Sequence, residues 1–185
     1  MELLSKEDKL VQAHDLSFKP FLSEEKILNR VTELSQQITS DYKGKKPVFL
    51  SILNGAFIFM ADLVRACDLT CETTFIKLSS YDGVKSTGNV TTLIGIDIDL
   101  KDRHVIVVED IIDTGETLFQ FLKELEILEP ASVKLASLLV KPDALRYDIQ
   151  VDYKGFDIPN KFVIGYGLDY NGEGRNLACI YQLAE

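Results

Sequence analysis

The sequence predicts an α/β fold, a mainly parallel twisted sheet with helices on both faces. Three observations predict it. Short apolar runs recur along the chain, among them Val48 to Leu53, Val105 to Val108 and Ser132 to Val140. Segments with apolar residues at helical spacing alternate with those runs. Polar clusters follow the runs at Asn54-Gly55, Glu109 to Thr117, Lys141, and Asp169 to Arg175. In a parallel sheet these clusters gather on one edge, outside the carboxyl ends of the strands, where such folds bind ligands.

In chain order, His14, Leu16, Phe18 and Phe21 alternate well enough for one short strand, with Pro20 interrupting it. Ser23 is a fitting N-cap, and Ile27, Val31, Leu34 and Ile38 then follow helical spacing over 24–42. Lys43-Gly44-Lys45-Lys46-Pro47 stops that helix. A strand over 48–53, the Asn54-Gly55 turn and a helix over 56–66, apolar nearly all round, form a first β–turn–α unit. A second strand is expected over 72–78. The stretch 79–89, rich in glycine and hydroxyls, reads either as a plain hairpin connection or as a lid. A strand over 90–96 and a charged turn over 97–102 follow.

The central stretch opens with Val105 to Val108, passes Glu109 and Asp110, and leads through Asp113, Thr114, Gly115 and Thr117 into a helix. That helix carries Leu118, Phe121, Leu122 and Leu125 on one face. The strand is expected to end where the acids begin. Beyond Pro130 come a strand over 132–140, an irregular region over 143–160, a strand over 161–165 and a closing strand over 180–183.

Composition narrows the function classes. With 185 residues, 46% hydrophobic and 26% charged, the chain is globular and suits one domain. A net charge of −9 speaks against broad nucleic-acid binding, which needs basic surface. No apolar run is long enough to cross a membrane and no leader pattern opens the chain. Cys67, Cys71 and Cys179 lack a completing His or Cys cluster and read as bystander thiols in a reducing cytoplasm.

The chemistry concentrates in the central stretch. A buried strand that runs through a small-residue loop into a helix builds an anion site, because the helix N-terminus presents free backbone N–H groups. Carboxylates just before that loop suit sugar hydroxyls, which donate to them, or magnesium, which prefers oxygen ligands. A phosphate cradle beside a diol-binding acid pair describes a sugar phosphate. Neither the P-loop pattern nor a dinucleotide Gly-x-Gly-x-x-Gly pattern is present.

Val107-Val108-Glu109-Asp110-Ile111-Ile112-Asp113-Thr114-Gly115-Glu116-Thr117 resembles the phosphoribosyl-pyrophosphate motif of the purine and pyrimidine phosphoribosyltransferases. Leu53 to Phe57, Ser80-Tyr81, Ser137 to Lys141 and Lys161 to Tyr170 resemble the branch that acts on hypoxanthine and guanine, and the likeness spans about residues 20–183. The resemblance implies the phosphoribosyltransferase fold, with a small hood from about 1–22 and 160–185 within a single domain. It implies magnesium-dependent transfer of a 5-phosphoribosyl group from phosphoribosyl pyrophosphate to N9 of a 6-oxopurine. Asp113, Thr114, Gly115, Glu116 and Thr117 would hold the 5′-phosphate, with Asp113 also the general base. Glu109 and Asp110 would face the ribose and a magnesium ion, and Asp169 a second one. Lys141 would donate to the 6-oxo group, and Lys161, Phe162, Val163 and Asp169 would complete the purine pocket. Asn54, Gly55 and Arg175 would hold pyrophosphate, and Ser80 and Tyr81 would lie in a closing loop. Because relatives are usually dimers or tetramers, the resemblance also implies a homodimer or homotetramer. The family commonly has Leu-Lys-Gly where this chain has Leu53-Asn54-Gly55. Whether the cis peptide found there in relatives persists is left open, and Asn171-Gly172-Glu173-Gly174 reads as a more mobile loop.

Overall fold

The computed structural model describes residues 9–79 and 91–184. Its main sheet has six strands in the order β5-β4-β3-β6-β7-β8. They are β3 (Val48–Leu53), β4 (Glu72–Ser79), β5 (Thr91–Ile94), β6 (His104–Ile112), β7 (Ser132–Val140) and β8 (Tyr153–Asp157). All neighbouring pairs are parallel except β4 with β5 at one edge. A smaller antiparallel sheet, β1-β2-β10-β9, joins the two ends of the described chain: β1 (Val11–Ala13), β2 (Leu16–Leu22), β9 (Val163–Ile164) and β10 (Ile180–Leu183).

The alternation of side chains along buried strands creates two cores. Val48, Leu50 and Ile52 of β3 and Val105 and Val107 of β6 pack with Leu118, Phe121 and Leu125 of α3 (Glu116–Glu126). Phe49, Ile106 and Val108 face the other way. They pack with Ile27, Val31, Leu34 and Ile38 of α1 (Glu24–Asp41) and with Phe59, Met60 and Leu63 of α2 (Phe57–Ala66). Ser23 caps α1, its hydroxyl accepting from the Lys26 N–H at 3.3 Å. From β3 the chain passes through α2 to β4 on one side; from β6 it passes through α3 to β7 on the other. Strand order therefore reverses between β3 and β6, and the loops after these two strands flank the resulting crevice.

The alternation breaks once, at the same level in three neighbouring strands. In β6, Val108 and Ile111 lie on the α1/α2 face and Ile112 on the α3 face. In β7, Leu138 and the adjacent Leu139 share the α1/α2 face, and Val140 has crossed. In β8, Tyr153 and Phe156 share that same face. Pairings continue on either side of the break, Glu109↔Ser137↔Lys154 and Ile111↔Leu139↔Phe156, so the step runs through Asp110, Leu138 and Gly155. A Cβ on Gly155 would overlap the Leu138 carbonyl, so glycine is required there. At the sheet edge Arg30 of α1 donates to the carbonyls of Gly155 and Lys154, at 3.1 and 2.6 Å. Irregularities of this kind re-aim side chains beside functional sites.

Several sequence expectations are corrected. The strand expected to stop at Val108 continues to Ile112, so Glu109 and Asp110 lie inside β6, at the step, and not in a loop after it. The region read as irregular over 143–160 contains β8, whose lone glycine and two charges, Lys154 and Asp157, hide its alternation. The strand expected over 161–165 shrinks to Val163–Ile164 because Gly165 turns at φ 105°. The N-terminal strand is a hairpin of two, β1 and β2, turning at His14, and Pro20 sits within β2. The proline fits because β1 does not reach it and the β10 register slips beside it, between Ile180 and Tyr181. Ser79, the first residue of the stretch read as a hairpin or lid, ends β4, and the rest of that stretch, including Ser80 and Tyr81, lies outside the described residues.

Candidate active site at the carboxyl edge of the sheet

The loop after β6 is built as the sequence suggests. Gly115 opens α3 at φ 78°, a conformation that favours glycine. No side chain caps this helix; the Glu116 N–H reaches the Thr114 hydroxyl only at 3.5 Å. The helix N-terminus opens on a hollow of about 190 Å³ lined by Glu109, Ile111 and the loop Ile112 to Leu118, an arrangement that suits an anion.

Behind the hollow stand the two acids. Burial pushes the Glu109 carboxyl well above the usual carboxylate range, and the neighbouring Asp110 charge adds to the rise. Its Oε2 is buried and has no hydrogen-bond partner among the described residues. Burial also pushes Asp110 up to about 6, against the Ile111 N–H and the Arg175 guanidinium, which pull it down. The Ile111 N–H donates to Asp110 Oδ1 at 2.9 Å. Two desolvated acids side by side are costly alone and call for donors or a cation to share their charge.

Asp110 also touches the loop after β3. A Cβ at Gly55 would overlap the Asp110 carboxylate, so only glycine lets the two approach. The Leu53–Asn54 peptide is cis, and Asn54 is exposed. Gly167 lies against the same loop, where a Cβ would overlap the Gly55 carbonyl. The Gly167 N–H donates to the Arg175 carbonyl at 3.0 Å, and its own carbonyl accepts from the Arg175 guanidinium at 2.6 Å. The other guanidinium nitrogen pairs with Asp169 Oδ1 at 2.6 Å. Asp169 Oδ2 accepts from the Gly172 N–H at 2.7 Å. Arg175 and Asp169, two residues carried by the resemblance, are thus each other's partners, and both act electrostatically on Asp110.

The third group is Lys141, at the end of β7. Its side chain is buried, and its ammonium lies 2.6 Å from Asp113 Oδ2, on a carboxylate that is 49% exposed. Its N–H donates to the Ile112 carbonyl at 2.9 Å, which fixes β7 against the start of the phosphate loop. Just before β9, Phe162 is 42% exposed, with Tyr170 edge-on at 5.8 Å and Phe18 at 6.2 Å. Val163 is buried opposite Gln182. The ladder bond beside it runs from the Leu183 N–H to the Phe162 carbonyl, so the Val163 N–H and C=O point to the free edge of β9. Lys161, next in line, is half-buried.

The structure thus brings Asn54-Gly55, Glu109-Asp110, Asp113 to Thr117, Lys141 and Asp169-Arg175 to one edge. Among the described residues, no group of three or more His, Cys, Asp or Glu converges as a ready metal cage. The loop expected to be mobile, Asn171 to Gly174, is a hydrogen-bonded turn. Tyr170 and Glu173 exchange backbone bonds at 2.9 and 3.0 Å, and Asn171, Gly172 and Gly174 take the positive φ it needs.

Sequence reasoning missed Gly167 as a contact of the β3 loop. It also missed Tyr166, whose hydroxyl donates to Asp62 of α2 at 2.6 Å and ties the turn after β9 to the helix that follows the β3 loop. The available signal was an aromatic residue between two glycines: Gly165, Tyr166 and Gly167 all have positive φ, at 105, 49 and 103°.

A switch-point crevice holding an uncapped helix N-terminus and a half-buried acid pair defines an α/β protein built to bind a phosphorylated small molecule. The family described as phosphoribosyl transferase domain matches residues 19–171. A hypoxanthine-guanine phosphoribosyltransferase from Lactococcus lactis is 46% identical over 163 residues, 88% of each chain. A hypoxanthine-guanine-xanthine phosphoribosyltransferase from Tritrichomonas foetus is 42% identical over 164 residues, 88% of this chain and 90% of that one. The crystal structure of a hypoxanthine-guanine phosphoribosyltransferase from Bacillus anthracis, with HEPES in its active site, superposes with a TM-score of 0.86 at 38% identity. That match covers 90% of this chain and 98% of the other. The chain belongs to the phosphoribosyltransferase family.

Proposed function

We propose that the chain catalyses a step of purine salvage, the magnesium-dependent transfer of the 5-phosphoribosyl group from phosphoribosyl pyrophosphate to N9 of hypoxanthine or guanine. The products are IMP or GMP and pyrophosphate. The observation that carries this reading is the convergence of the Asp113 to Thr117 loop, the Glu109-Asp110 pair and buried Lys141 on one crevice.

In this reading the loop N–H groups and the Thr114 and Thr117 hydroxyls hold the 5′-phosphate. The two acids accept from the ribose hydroxyls, which would supply donors to the orphaned Glu109 Oε2. Asp110, and Glu109 once a cation shares its charge, favour the positive charge that builds on the ribose as its bond to pyrophosphate breaks. Asp113 takes the proton from the purine. Lys141 leaves Asp113 and donates to the 6-oxo group; an ammonium only donates, so it disfavours the amino group of adenine. Phe162 stacks on the base, the Val163 backbone reads its edge, and Lys161 and Asp169 complete the pocket. Arg175 and the Asn54-Gly55 backbone meet the leaving pyrophosphate. Ser80 and Tyr81 belong to a closing loop that keeps water from the ribose cation.

Glu109 and Asp110 suit magnesium, as hard oxygen donors left poorly compensated. Magnesium keeps waters and substrate oxygens and needs only one or two carboxylates. Asp169, both of whose oxygens are engaged, would reach a second ion through water. When bound, magnesium neutralises charge on the pyrophosphate. The free thiols fit a cytoplasmic setting, and the exposed Phe57 and Phe75 fit a homodimer or homotetramer.

The test is a base panel. Purified protein, magnesium and phosphoribosyl pyrophosphate are mixed with hypoxanthine, guanine, xanthine or adenine, and nucleotide formation is followed. Product from hypoxanthine and guanine, and none from adenine, is expected; xanthine is included because the Tritrichomonas foetus relative is named for it. No product from any base would leave a binding protein that retains the pocket without the chemistry.

A further inference from the structure

Between Lys141 and β8 the chain forms no ladder until Tyr153, yet it is tightly placed. After a 3-10 turn, Pro142–Ala144, it doubles back along the phosphate loop. Three contacts join the two segments. The Lys141 ammonium pairs with Asp113 at 2.6 Å. The Arg146 N–H donates to the Thr114 carbonyl at 3.0 Å. Ile149 Cδ1 stands so close to Gly115 that a Cβ there would lie 2.5 Å from it, with Leu145 Cδ2 at 3.5 Å.

This strap is anchored on both sides of Ile149. The Tyr147 ring stacks on Phe119 of α3 with centroids 4.9 Å apart. Asp152 accepts from the Leu135 N–H at 2.9 Å and from the Lys134 ammonium at 2.6 Å. Leu145, Ile149 and Val151 pack into the core that α3 shares with the sheet. Ile149 does not line the hollow in front of the helix N-terminus. It bears on Gly115 from outside the ligand's place.

We propose that Ile149 is a positioning residue for the phosphate loop. Its side chain, wedged against Gly115, holds the first-turn donors of α3 in the arrangement that receives the 5′-phosphate. This rests on the function proposed above. A loop pre-set in its binding conformation spends less of the contact energy on ordering itself, so affinity for the phosphate is set partly by what stands behind the loop. The sequence offers no sign of this, because Ile149 lies in a stretch without periodicity.

The test compares Ile149→Ala with the unaltered chain by calorimetric titration with IMP and with inosine, under conditions where circular dichroism shows both proteins folded. The two ligands differ only in the 5′-phosphate. The inference expects IMP affinity to fall about tenfold, equivalent to about 1.4 kcal/mol, with inosine affinity unchanged within about twofold. Ile149→Val, which removes one methylene, should lose about two- to threefold for IMP; it carries the same comparison should the alanine variant not fold. Unchanged IMP affinity would overturn the proposal, as would an equal loss for both ligands, which is general loosening. If the unaltered chain binds IMP no better than inosine, the phosphate loop itself is misassigned and the inference goes with it. If it binds IMP well and only the variant fails to respond, the fault lies in the role given to Ile149.

Discussion

Replacing Lys141 by methionine removes one ammonium and keeps most of the stem that fills the end of β7. In the proposed reaction that ammonium donates to the purine 6-oxo group, and a buried charge-assisted bond of this kind is worth about 1.5–3 kcal/mol. The lysine first has to release Asp113. That acid is 49% exposed, so the pair is screened and resembles a surface ion pair, worth about 0–1 kcal/mol. The difference leaves about 0.5–3 kcal/mol, or from a little over about 2-fold to about 160-fold in kcat/KM for hypoxanthine. Stability should move little: the variant loses the pair but also sheds the cost of a buried cation, and the two terms oppose each other. The assay is initial-rate kinetics with hypoxanthine varied at saturating phosphoribosyl pyrophosphate, alongside thermal unfolding. A folded variant whose hypoxanthine kcat/KM stays within about twofold of the unaltered chain would refute the assignment, since that is below the smallest effect the geometry allows.

Three further outcomes are expected. Asp113→Asn should slow turnover by about 10²- to 10⁴-fold, the range of a lost general base, while phosphoribosyl pyrophosphate still binds in a direct titration. Asp110→Asn should stabilise the unliganded protein above pH 6. A folded-state value of about 6, above the unfolded one, means that the native acid holds its proton longer. Stability conferred by that proton is full below about pH 4 and is lost as pH rises through about 6, so the gain in Tm from asparagine should fade toward pH 4. A gain independent of pH would remove burial of the charge as its cause. Gly55→Ala should disrupt the site, because its methyl would occupy the space of the Asp110 carboxylate; undiminished binding of phosphoribosyl pyrophosphate would show that this approach is not required.

The strands and helices were legible where one face is buried and the other is not. α1 shows its spacing plainly because Ile27, Val31, Leu34 and Ile38 are core while the positions between them, the small Ser35 apart, lie toward the surface. β8 was illegible: five residues with one glycine and two charges have no clean period, and its place is fixed by pairing with β7 far back in the chain. The phosphate loop and the acids could be read because their neighbours in sequence are their neighbours in space. The Gly55–Gly167 approach, the Tyr166–Asp62 bond and the Ile149 wedge join residues 34 to 112 positions apart, and no local pattern announces them. The pairing of Arg175 with Asp169 is likewise set by the turn that brings them together, not by either residue alone.

The step that crosses β6, β7 and β8 behaves like a dislocation in a layered crystal. Such a line cannot stop inside the lattice; it must run out to a boundary, here the β8 edge, where Gly155 makes room and Arg30 satisfies the carbonyls. Its other end is Asp110. The orientation of an acid in the crevice is therefore tied to the absence of a side chain two strands away, about 10 Å across the sheet. A substitution at Gly155 would touch no ligand and remove no polar group, yet it would push the line back through Leu138 toward the acids. Glycine there belongs to the inheritance of the site as firmly as the carboxylates do, though chemistry alone would never nominate it.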